Sequence, residues 1–70
     1  MYYALYLPEV KYGGITTIIK PMTDDRIQDL RSQGWILVGN YSTKIGAEIM
    51  LQISIEVFLK SIGVEVENDN

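Results

Sequence analysis

Seventy residues with six basic and nine acidic side chains, a net charge of −3, and neither cysteine nor histidine already exclude a good deal. Disulfides, zinc fingers, iron–sulfur ligation, cysteine or histidine catalysis and a histidine pH switch all lack their side chains; the acidic balance also argues against the basic footprint of a nucleic-acid binder. A chain this short makes one domain burying only roughly 60% of its unfolded surface, and once cross-links are excluded a partner subunit is the remaining way to reinforce it.

Residues 2–7 place Tyr3, Leu5 and Leu7 on one face of a strand and Tyr2, Ala4 and Tyr6 on the other. Pro8 has no amide proton and belongs at an edge, a bulge or a strand end. Gly13-Gly14 accepts the positive φ angles of a tight turn. Residues 15–20 then alternate Ile15, Thr17 and Ile19 against Thr16, Ile18 and Lys20 as a return strand. Residues 2–20 therefore read as a hairpin.

After Pro21 the end signals of a helix over residues 24–33 are complete. Thr23 is the N-cap, and Asp24 and Asp25 set negative charge on the positive end of the helix dipole. Met22 and Ile27 have the spacing of a hydrophobic staple. Gly34 stands at the left-handed position of a Schellman ending, with Trp35 placed to touch Leu30. Only Ile27, Leu30 and the stem of Arg31 face inward, so Trp35 is expected to complete this thin cover from a buried position.

Residues 35–41 form a continuous apolar run, as in a strand that is central or covered by both helices. Ser42 and Thr43 are alternative N-caps for a long helix that Gly63 ends. In residues 45–62 the strongly polar side chains Glu48, Gln52, Glu56 and Lys60 form one narrow strip, and nearly everything else is apolar or small. Such a helix needs two neighbours. It reaches membrane-spanning length, yet each polar residue of the strip would cost about 2 to 3 kcal/mol near a bilayer centre, so no membrane partner is expected. Residues 64–67 alternate as a short edge strand would, but their two glutamates followed by Asn68, Asp69 and Asn70 favour a tail. The expected fold is α+β, in the order ββαβα: a three-stranded sheet with a hairpin, a short capped helix, and the long apolar helix packed on the sheet. Residues 1–66 make the domain and 67–70 an acidic, polar tail.

No constellation of catalytic side chains emerges, and no catalytic, cofactor or metal site is expected. The order Ser42-Thr43-Lys44 resembles a phosphate loop only superficially, because just Gly39 lies upstream where that motif needs its glycines; capping explains it. Asp24 and Asp25, or Glu65, Glu67 and Asp69, lack the spacing of a calcium loop. No positively charged segment precedes an apolar run at the start, so no signal peptide is expected, and a cysteine-free chain fits a cytoplasmic setting.

Two surfaces are candidates for binding. Ala47, Ser54 and Ser61 recur every seven residues along the long helix, with Met50, Val57 and Phe58 beside them, a pattern that permits close helix crossing. These six residues are the expected homodimer contact. The competing reading lays that line over the sheet, and even then one flank stays apolar and open. Tyr2, Tyr6 and Tyr12 are the second candidate, as a partner face or a stacking platform for single-stranded nucleic acid. Alignment of Glu48, Glu56, Glu65, Glu67 and Asp69 on one surface would instead make an acidic nucleic-acid mimic. The expected role is a small non-enzymatic protein-interaction module, a self-associating regulator or inhibitor of the kind phages and mobile elements encode, with a second protein as a further partner.

Overall fold

The computed structural model describes residues 1–9, 11 and 13–63; Val10, Tyr12 and residues 64–70, including the expected tail, lie outside the described residues. The elements are β1 (Tyr2–Glu9), β2 (Gly14–Lys20), α1 (Asp24–Ser32), β3 (Ile36–Tyr41) and α2 (Lys44–Ser61). This is the expected α+β order. The three strands form one antiparallel sheet in the order β2-β1-β3.

The hairpin sets β1 against β2, and β3 joins the free side of β1, so the first strand to leave the N-terminus is the central one. Pairing of β1 with β2 continues through Pro8, opposite Ile15, to Glu9 opposite Gly14. A proline is tolerated there because β3 pairs with β1 only as far as Tyr6, so no third strand needs its missing amide proton. Between Leu5, opposite Leu37, and Ala4, opposite Gly39, the register slips by one residue and leaves Val38 as a bulge. β3 is thus an edge strand. Both helices touch it, but the cover is partial: none of its residues is fully buried and Ile36 is 37% exposed.

Ala4 and Leu5 are both fully buried, and neighbouring strand residues point to opposite faces. On the Ala4 face α2 supplies Ala47 and Leu51, which pack with Ala4 and Tyr6; Ile15, Ile19, Val38, Ile55 and Phe58 surround them. On the Leu5 face α1 supplies its two buried residues, Ile27 and Leu30. Contact continues past the end of α1, where a Cβ at Gly34 would lie 3.6 Å from Leu7 Cδ1.

Local chemistry fixes the helix ends. The Thr23 side chain accepts from the Arg26 amide at 3.3 Å, and Arg26 bridges to Asp29 at 3.0 Å in solvent. At the other end the Trp35 amide donates to Leu30 O and the Gly34 amide to Arg31 O, each at 3.1 Å, the bond pair of a Schellman ending. In α2 the cap is Thr43, whose hydroxyl accepts from the Gly46 amide at 3.0 Å, and Gly63 terminates it at φ +87°. One expectation is corrected: Trp35 is half-buried. It precedes an edge strand and lies beyond the last turn of a nine-residue helix, where the elements around it leave it incompletely covered.

Gly34 has φ +100°, where a Cβ is disfavoured. Gly34→Ala should destabilise the domain by about 1 kcal/mol or more; unchanged thermal unfolding would show that the helix can end another way.

Candidate protein interface on the long helix

An α-helix turns about 100° per residue, so seven residues fall about 20° short of two full turns. That drift decides where the small-residue line of α2 goes. Ala47 is buried against the sheet, Ser54 is half-buried and Ser61 is exposed. Ser61 donates its hydroxyl to Phe58 O at 2.6 Å, so its side chain is engaged with its own helix. The line begins on the sheet and winds out toward solvent.

The other residues of the expected dimer contact divide the same way. Phe58 turns inward, its ring edge-on to Tyr6 with centroids 5.7 Å apart and planes at 64°. Met50 and Val57 turn outward. Ala47 and Phe58 are therefore committed to this chain's own core, because the sheet takes the flank of α2 that carries Leu51, Ile55 and Phe58.

Among the described residues nothing covers the opposite flank. Ile45, Ile49, Ile53 and Val57, at four-residue spacing, are 70%, 55%, 48% and 62% exposed, and Met50 beside them is 38% exposed. Residues four apart are neighbours along one ridge of a helix, so these side chains form a single stripe. Full burial of an aliphatic side chain is worth about 1.5–3 kcal/mol, and each of these forgoes a substantial part of that in water. The Glu48–Lys60 strip runs alongside as a polar rim, with Gln52 Nε2 donating to Glu56 Oε1 at 3.4 Å. Ile49 and Ile53 belong with Met50 and Val57 to a flank that the sequence already marks as apolar, but they and Ile45 are not among the six expected contact residues, because the heptad of small residues is the more conspicuous signal.

The tyrosine face is corrected at Tyr6. Tyr6 is 5% exposed beneath α2, and Tyr2 packs against the same cluster; Tyr12 lies outside the described residues. Alternation along β1 groups Tyr2 with Tyr6, but that is the face α2 occupies, and Tyr6 has no room to stack a base. Ser42 and Lys44 are exposed beside the Thr43 cap. Asp24 and Asp25 lie in the first turn of α1. Among the described residues no group of three or more acidic side chains could hold a metal ion, and no helix is long and apolar enough to cross a membrane. No protein-family model matches the chain, and neither the curated proteins nor the solved structures contain a significant match.

Burial disfavours the Tyr6 phenolate and raises its pKa above the ordinary 10.0. The folded-state value therefore exceeds the unfolded one. Stability should be level below about pH 10 and fall as pH rises through the folded-state value. In an alkaline titration read by phenolate absorbance and circular dichroism, Tyr6 should ionise late, together with loss of structure. Ionisation of every tyrosine as one exposed class, with the fold intact, would contradict the burial of Tyr6.

Proposed function

We propose that this chain is a small protein-interaction module that works without chemistry, a regulator or inhibitor acting in the cytoplasm by occupying a protein surface. The observation that carries the reading is the uncovered stripe of Ile45, Ile49, Met50, Ile53 and Val57 on a helix whose other flank is already in the core. A contiguous apolar patch with a polar rim is the usual anatomy of a protein contact. Aliphatic side chains standing on a rigid helix lose little entropy when a partner covers them.

The rival readings have less to stand on. A single-strand binder needs exposed stacking rings and a basic track, and Tyr6 lies under α2. An acidic mimic needs its carboxylates aligned on a surface of their own, whereas Glu48 and Glu56 lie on the rim of an apolar stripe; Glu65, Glu67 and Asp69 lie outside the described residues.

A photoreactive phenylalanine analogue at Ile49, irradiated in a lysate of the source cell, tests the proposal. Adducts of protein mass should form, whether with a second copy or with another protein, and should be absent when the same probe replaces exposed Gln28 on α1. No adduct at Ile49, or equal labelling from both positions, would remove the stripe as a binding surface.

A further inference from the structure

The geometry points to a second copy of this chain as the occupant of the stripe, with the two α2 helices antiparallel about a two-fold axis at Ile53. The inference rests on the proposed binding role and adds the partner and its orientation.

Area supplies the first argument. Five partly exposed apolar side chains present on the order of 400 Å² per copy, within the range of the largest patch on a soluble monomer. A symmetric contact uses the same patch twice. Two copies therefore bring together on the order of 800 Å² before any rim is counted, and with Ser54 and the stems of Glu56 and Lys60 they reach the ~1,000 Å² at which a specific interface begins.

Position along the helix supplies the axis. The row Ile45, Ile49, Ile53, Val57 continues at the same spacing to exposed Ser61, so Ile53 is its midpoint. Antiparallel pairing about that midpoint sets Ile49 against Val57 of the other copy, twice. The sheet lies on the opposite flank of α2, so each domain points away from the contact and does not collide with its mate.

Charge supplies the direction. Lys60 is exposed one turn beyond Val57, close to the line of the stripe at about 100° per residue. In a parallel pair it would face Lys60 of the second copy, a like-charge contact that disfavours that arrangement. In the antiparallel pair the two lysines lie at opposite ends, separated by about 21 Å along the axis at ~1.5 Å per residue.

The chain has no cysteine, so a single introduced thiol reports its own position. Ile45→Cys, Ile53→Cys and Val57→Cys would each be oxidised with copper–phenanthroline at micromolar protein, with circular dichroism confirming the fold. Only the Ile53→Cys variant should form a disulfide-linked dimer readily, because antiparallel copies of residue 45 lie about 24 Å apart, and those of residue 57 about 12 Å apart, beyond disulfide reach. Comparable cross-linking at all three positions would establish a parallel pair and overturn the orientation. Absence of cross-linking at all three, with the Ile49 probe still labelling another protein, would overturn the self-pairing and leave the binding role standing. If that probe labels nothing either, both fail.

Discussion

Two adjacent residues of the central strand, Ala4 and Leu5, have no solvent exposure, and because they point to opposite faces the sheet must be covered on both. A chain of 70 residues meets that demand with one helix per face. α1 is short and polar on its outer side, so its duty ends at Ile27 and Leu30. α2 is apolar nearly all round but has only one face to give the sheet. The open stripe on its far flank follows directly: no described element is left to cover it, and the side chains along it are isoleucine, valine and methionine.

The parts of this arrangement that depend on neighbouring residues were legible in the sequence. Thr23, Gly34, Thr43 and Gly63 do what their chemistry dictates, since caps and left-handed terminators act within a few bonds of themselves. Alternation likewise sorted the faces of β1 and β2 correctly. Matters of assembly were not legible. Alternation groups Tyr2 with Tyr6 without saying which helix lies above them. The bulge at Val38 leaves no mark in an apolar run where every residue is suited to a strand. Heptad spacing of Ala47, Ser54 and Ser61 fits a sheet as well as a second helix, and the 20° drift per heptad, which carries the line from core to solvent, becomes informative only once the sheet is in place.

On the proposed reading, the division of α2 into two apolar flanks separates stability from recognition. Ala47, Leu51 and Phe58 hold the helix to the sheet, whereas Ile49, Ile53 and Val57 take no part in that core and are free to meet a partner. Glu48, Gln52, Glu56 and Lys60 then serve twice. They make the helix too polar to cross a bilayer, and on this reading they border the stripe with groups that stay hydrated when its centre is dry, as rim residues do around an interface core.

Whether the stripe pairs with its own copy decides which partner covers it. Sedimentation equilibrium of the whole chain, carried from micromolar to millimolar concentration, measures this most directly. A mass rising from 8.0 kDa toward twice that value, and held at 8.0 kDa by Ile53→Lys with the fold unchanged, is the predicted result. A chain that stays at 8.0 kDa throughout, with ideal behaviour at the highest concentration, would contradict it.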